Sequence, residues 1–325
     1  MRKAVLSGAL CVLLSVAAAA ASAVESPPSG TPDDCAAIPD DRERLSCYDA
    51  RAGRLPGEES AQESYLTRIW DLEKERRQRK FSLTPYRSNY ILPFTYNTSP
   101  NEGPVRAADP AGRVLHEEVQ FQFSFKVKLW EDVLGRDLDL WAAYTQRSFW
   151  QFYDFDGSAP FRETDFEPEL LLNFRTDYRI LGLWGRFITV GLNHQSNGRG
   201  EPLSRSWNRV VANAGFERGN LVLVLRGWYR IPESGEDDDN PGIERYLGYG
   251  EAELFTFRKG SRFGLLWRNN LRTGGNRGAI QLTASFPLLR RVSGYLLYYN
   301  GYGESLLDYN ASSNRFGIGF ILKEW

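Results

Sequence analysis

Val119-Gln120-Phe121-Gln122-Phe123-Ser124-Phe125-Lys126-Val127-Lys128-Leu129 alternates without a break, its odd positions apolar and its even positions polar or cationic. Successive side chains of a strand point to opposite faces, so this stretch presents one wholly apolar face and one wholly polar face. Its length matches the roughly 9–11 residues that a tilted strand needs to cross a bilayer. Phe316, Ile318, Phe320 and Leu322 sit in phase near the C-terminus. Phe166, Leu170, Leu172 and Phe174 do the same among Glu167, Glu169, Asn173 and Arg175.

By the same alternation, strands are expected at 88–97, 119–129, 138–151, 166–175, 183–195, 206–217, 220–231, 245–257, 262–272, 278–287, 293–304 and 314–323. That is an even set of twelve. After Pro85 no helical periodicity is evident, so no helix is expected there. Connections 98–118, 152–165, 196–205, 232–244 and 305–313 are long, whereas 218–219, 258–261 and 288–292 are short. Segment 273–277 is short although it falls on the long-loop side. Long loops at one end and tight turns at the other suit an outer-membrane barrel. The expected fold is therefore all-β, a 12-stranded antiparallel transmembrane β-barrel with a short N-terminal periplasmic extension. A water-soluble β-sandwich also alternates, but it would bury its apolar face against a second sheet.

Composition narrows the class further. Forty Lys and Arg against 41 Asp and Glu leave a net charge of −1, which argues against a nucleic-acid binder relying on bulk positive charge. A mean hydropathy of −0.44 and no apolar run of about 18 residues beyond the N-terminus exclude a helical membrane bundle. Met1-Arg2-Lys3, the apolar run Ala4–Ala20 and Ala21-Ser22-Ala23 read as a signal peptide over residues 1–23. Residues 24–84 form the N-terminal periplasmic extension. It holds Cys35 and Cys47, an even pair that suggests a disulfide in an exported chain, two free thiols being the alternative. Tyr65, Ile69 and Leu72 suggest a short helix within 60–79. Residues 85–325 are the barrel domain.

Of two histidines, His116 falls in the 98–118 loop with no evident partner. His194 continues the stripe Ile188, Val190, Leu192, and so faces lipid; Ser196 follows in phase. Asn208 shares the outward stripe of the next strand with Val210, Ala212, Ala214 and Phe216. Polar groups on a lipid-facing surface are costly. A nucleophile, a base and an orienter at one membrane edge would justify them. Taken singly, each has a plainer reading: a strand-end His at the interface, and Ser and Asn as turn caps. A neutral Asn stabilises a developing imidazolium less than Asp, so a bound cation near the oxyanion is a natural complement.

Asn193-His194-Gln195-Ser196-Asn197-Gly198-Arg199 with Ser204-Arg205-Ser206-Trp207-Asn208-Arg209 closely resembles the active-site signature of the outer membrane phospholipase A family. Tyr144-Thr145-Gln146, Pro160-Phe161-Arg162-Glu163-Thr164, Asp239-Asn240-Pro241 and Gly301-Tyr302-Gly303-Glu304-Ser305 extend the resemblance from about Ser88 to the C-terminus. The resemblance implies a barrel enzyme that hydrolyses the sn-1 and sn-2 acyl ester bonds of phospholipids and lysophospholipids. It further implies dependence on Ca2+ and a homodimer as the active form in the outer membrane. By position it makes Ser196 the nucleophile, His194 the general base and acid, and Asn208 the orienter. Calcium would take the Arg199 carbonyl, the Ser204 hydroxyl and the carbonyl of Ser158 of the partner subunit. Asp239 matches a calcium-binding carboxylate in a loop that is three residues longer here, and Gln146 matches a polar residue of the dimer contact. Trp325 ends the chain where Phe is more usual.

Two other classes compete. A passive pore or transporter could line its channel with Gln120, Gln122, Lys126, Lys128, Glu167, Glu169 and Arg175, although mixed signs at facing positions favour a charged plug. A periplasmic sheet protein would use the Cys35–Cys47 loop as a partner module.

Overall fold

The computed structural model describes residues 35–51, 64–73, 80–135, 137–235 and 238–323. The expected signal peptide and Trp325 lie outside the described residues. The chain divides into two units, Met1–Gln62 and Glu63–Trp325. In the first, helix α1 (Asp41–Arg51) carries Cys47, which is disulfide-bonded to Cys35. Glu43 N donates to Asp40 Oδ1 at 3.0 Å, and Asp41 and Glu43 in the first turn oppose the positive end of the helix dipole.

The second unit opens with helix α2 (Tyr65–Trp70) and a short strand β1 (Leu83–Pro85). Twelve barrel strands follow: β2 (Tyr90–Asn97), β3 (Glu117–Trp130), β4 (Leu138–Trp150), β5 (Phe161–Ile180), β6 (Leu183–Ser196), β7 (Ser206–Arg218), β8 (Leu221–Arg230), β9 (Gly250–Arg258), β10 (Ser261–Asn269), β11 (Gly278–Pro287), β12 (Val292–Tyr302) and β13 (Ser312–Leu322). Each pairs antiparallel with its sequence neighbour, and β13 returns to β2, which closes the sheet. Closure satisfies every edge, as a spanning sheet requires. Pro93 has no N–H to give the ladder, and the β2 register shifts there against both neighbours. Gly319 meets that bulge at such close range that an added Cβ would stand 2.1 Å from the Ile91 carbonyl oxygen.

The barrel is apolar outside and polar inside. Phe123 is 54% exposed and Ile318 54%, while Lys126 is fully buried. A water-soluble sandwich would show the reverse, so the outer face is made for lipid. Leu181-Gly182 and Lys259-Gly260, all at positive φ, make tight hairpins at one end. The long loops gather at the other.

Strand boundaries differ from expectation where charge interrupts the alternation. β5 begins five residues before 166, because Arg162, Glu163 and Asp165 are buried inward as strand residues rather than looped. Helices also occur after Pro85, contrary to the expected all-strand pattern: α3 (Gly103–Ala108), with Pro104 in its first turn, and α4 (Glu244–Leu247). A 3₁₀ turn spans Val133–Gly135. Gly248 at φ +69 ends α4, so β9 starts at Gly250 rather than 245. Helices of four and six residues are too short to leave a periodic signal.

Helix α2 is buried among lumen-facing side chains of the strands. Ser64 Oγ accepts from Thr67 N at 3.1 Å to start it, and Asp71 in the left-handed conformation stops it. Leu66, Ile69 and Trp70 join Trp141, Phe187, Trp207 and Trp228 in one apolar cluster. The Trp70 ring lies 4.7 Å from Phe187 and carries Lys126 Nζ 3.2 Å above it, while Asp71 pairs with Lys128. Farther along the lumen, Glu167 pairs with Arg87, Arg209 and Arg226, each at 3.1 Å. The space left is a cavity of about 200 Å3. Trp70→Ala is expected to cost about 3–5 kcal/mol, because it empties the centre of that cluster. Urea titration of vesicle-inserted protein, followed by tryptophan fluorescence, measures it; an unchanged midpoint would show that α2 does not brace the barrel.

Candidate active site at the barrel rim

In the β6–β7 ladder His194 lies opposite Asn208, and Ser196 opposite Ser206. The pleat therefore puts His194, Ser196 and Asn208 on one face. That face is the outer one: Val190 and Leu192 are exposed, whereas Asn193, Gln195 and Arg209 are buried in the lumen. The inner side chains lock the register. Arg209 donates to Asn193 Oδ1 at 2.9 Å and to Gln195 Oε1 at 3.0 Å, and Asn193 Nδ2 donates to Glu167 Oε1 at 2.8 Å. A slip of one residue would turn His194 into the lumen and leave those groups unpaired.

His194 Nδ1 lies 2.9 Å from Asn208 Oδ1. An amide oxygen only accepts, so Nδ1 carries a proton, and in the neutral ring that tautomer leaves the lone pair on Nε2. His194 is exposed, and Ser196 and Asn208 are half-buried. His116 is elsewhere: it stacks on Tyr96 and donates from Nδ1 to the Asn97 carbonyl at 2.6 Å.

Loop 197–205 turns back on the site through Asn197, a buried residue. Its Oδ1 accepts from Arg199 N at 3.3 Å and Arg205 N at 3.0 Å, while Nδ2 donates to the Leu203 carbonyl at 2.7 Å. Arg199 reaches away, donating to the Phe161 and Arg162 carbonyls. Asp239 Oδ2 accepts from Ser204 Oγ at 2.6 Å and Ser206 Oγ at 3.4 Å. Ser204 and Asp239 are thus brought together, with the Arg199 backbone in the same loop. Ser158 is apart, exposed in the β4–β5 loop at φ +62. Arg113 pins that loop by donating to Asp154 Oδ1 at 2.8 Å, and this bond holds the Asp154 carboxyl below its ordinary range.

Three residues at this site have roles that the sequence alone does not show: Asn197, Ser206 and Glu233. The Asn-Gly pair at 197–198 marks a tight turn and could have flagged the first. Glu233 sits in an acidic, unpatterned loop and gave no signal. Asn208 Nδ2 donates to its Oε1 at 3.1 Å.

A family model described as Phospholipase A1 matches residues 66–322. The chain belongs to the phospholipase A1 family. The match starts inside α2, upstream of Ser88, where the motif resemblance begins. A Klebsiella pneumoniae phospholipase A1 is 41% identical over 244 residues, 75% of this chain and 83% of that protein. Among solved structures, outer membrane phospholipase A from Escherichia coli superposes with a TM-score of 0.72 at 37% identity, covering 78% of this chain and 96% of that one. The Salmonella typhi outer membrane phospholipase dimer with bound calcium gives 0.71 at 37% identity, covering 76% and 94%. With its inverted, closed barrel, this family member is an outer-membrane enzyme.

Proposed function

We propose that the chain hydrolyses the sn-1 and sn-2 acyl ester bonds of phospholipids and lysophospholipids with Ser196 as nucleophile, His194 as base and Asn208 as orienter, calcium-dependent and active as a dimer. The observation that carries this is the His194–Asn208 pair, 2.9 Å apart on the lipid-facing rim and in phase with Ser196. Ser196 Oγ attacks the acyl carbonyl as His194 Nε2 takes its proton. The same proton then goes to the departing alcohol, and the acyl-enzyme is hydrolysed by water activated at Nε2. Asn208 keeps the ring oriented throughout. The substrate's acyl chain lies against Val190, Leu192 and Val210 below the rim, so the ester reaches the site without leaving the membrane.

The donor set suits calcium. Among the described residues no three His, Cys, Asp or Glu side chains cluster, so a metal here must rely on hydroxyl and carbonyl oxygens, which Ca2+ accepts. Asp239 has two hydroxyl donors and forms no ion pair among the described residues, which leaves its charge for a cation. Asp239, Ser204 and the Arg199 carbonyl would hold the ion, completed by Ser158 of the partner subunit. When bound, it would stabilise negative charge developing on the ester oxygen. With one carboxylate the affinity is expected near 10⁻⁴–10⁻³ M. Asp239→Asn is expected to raise the calcium concentration giving half-maximal fatty-acid release by about tenfold or more. A calcium titration checks this, and an unchanged midpoint would place the ion elsewhere.

A dimer is supported by the outward face of β4. There the half-buried Tyr144 and Gln146 are joined by a bond from Tyr144 OH to Gln146 Oε1 at 3.2 Å, and Gln146 Nε2 donates at 3.2 Å to Ser148 Oγ, which is covered within the chain. Polar groups facing hydrocarbon are costly unless a partner covers them. The lumen, crossed by α2 and by ion pairs, speaks against the pore alternative. For residues 24–84, we propose that the disulfide unit stands in the periplasm while the segment carrying α2 serves the barrel.

A further inference from the structure

Asn208 can present either end of its carboxamide to His194, and the two ends demand opposite tautomers. With Oδ1 toward the ring, Nδ1 is protonated and Nε2 is free to act as base. With Nδ2 toward it, Nδ1 must accept, Nε2 carries the proton, and Ser196 loses its base. The two orientations have nearly the same shape, so packing cannot choose between them. The far end of the amide can. Asn208 Nδ2 donates to Glu233 Oε1 at 3.1 Å, and an ionised carboxylate only accepts. It therefore repels Oδ1 and draws the NH2 group, which leaves Oδ1 for the ring.

Glu233 is itself held in place. Its side chain is 16% exposed, and its Oε2 accepts from Arg230 Nη2 at 3.2 Å. Arg230 is anchored in turn by Asp238 at 2.6 Å. Resting on the hydrolase reading above, we infer that Glu233 is a positioning residue that sets the tautomer of His194 through Asn208. Its negative charge, passed along the polarised amide, also supplies part of what Asp would give the imidazolium and Asn alone cannot.

The experiment uses full-length protein in detergent with calcium, labelled with 15N-histidine, at a pH where the imidazole is neutral. His116→Asn leaves His194 as the sole histidine signal. The expected result is an Nδ1-protonated ring in the parent and a mixture of both tautomers in Glu233→Gln, since Gln can donate as well as accept. kcat should fall by about 10–100-fold in Glu233→Gln with KM little changed. In the Asn208→Asp background the dependence reverses. Asp has no wrong end to present and is repelled by Glu233, so Glu233→Gln should raise kcat there. A merely structural role would lower both backgrounds alike and leave the tautomer unmoved, and either of those results overturns the inference. Failure of the hydrolase reading is distinct: Ser196→Ala would keep activity while the His194 tautomer still answers to Glu233.

Discussion

Ser196→Ala is expected to lower calcium-dependent fatty-acid release from detergent-dispersed phospholipid by a factor on the order of 10⁴ or more. The loss should fall on kcat, because the missing oxygen is the atom that forms the acyl-enzyme. Ser196 is half-buried at the end of β6, and its hydroxyl takes no part in the lumen contacts of Asn193, Gln195 and Arg209 that hold the strand. The variant should therefore insert and close normally, with the parent's circular-dichroism spectrum. Equal release by the two proteins would remove the catalytic assignment. Conductance without hydrolysis would point instead to a pore.

What the sequence disclosed about this molecule depended on which physical signal survives in one dimension. Alternation survives: residues 119–129 lie within β3 with Phe123 out and Lys126 in. The same alternation gave the outward phase of His194 and Asn208, which cross-strand pairing then set face to face. Pairing partners do not survive. Residues 161–165 carry charges that look like a loop, and they are legible as strand only once Glu118 and Asp308 are seen to meet Arg162. Inward aromatics such as Trp141 and Phe187 have meaning only beside α2, which comes from a separate stretch of chain. Glu233 contacts Asn208 across 25 residues and lies in a loop of no periodicity, so its role is a three-dimensional fact.

Inverting a protein creates a problem that the rim solves with charge. The apolar cluster around α2 reaches the long loops only through a few side chains such as Leu247, Leu306 and Tyr309, and buried polar and ionic contacts complete the gathering. Loop 303–311 folds inward, with Leu306 and Leu307 almost fully buried. Its backbone amides donate to Asp165 and Glu163, and Ser305 Oγ donates to Asp308. Glu163 also accepts from Asn197, the residue that shapes the loop bearing Arg199 and Ser204. Lumen charges and the candidate calcium loop thus share members, and stability and activity at this rim are coupled by geometry.

Arg162→Met is the sharpest stability test of that coupling. Arg162 grips Glu118 with two bonds, at 2.6 and 3.2 Å, and Asp308 with a third at 2.7 Å. All three side chains are buried, and Arg315 closes the network by pairing with Glu118 and Glu304 at 2.7 Å each. Three carboxylates already face two guanidinium groups; losing Arg162 leaves three against one in a site shielded from water. Removing one partner of a buried pair costs about 3–5 kcal/mol, more than replacing the whole pair by apolar groups. Arg162→Met combined with Asp308→Asn withdraws one charge of each sign and should recover part of that loss. The backbone carbonyl of residue 162 survives in both variants, so the bond it accepts from Arg199 at 2.9 Å can persist. Molecules that remain folded should accordingly retain Ser196 reactivity, while the folded fraction in urea declines. Unfolding curves in lipid vesicles, read beside specific activity per folded molecule, separate the two effects. An Arg162→Met barrel as stable as the parent would mean that this network merely fills the lumen and holds nothing together.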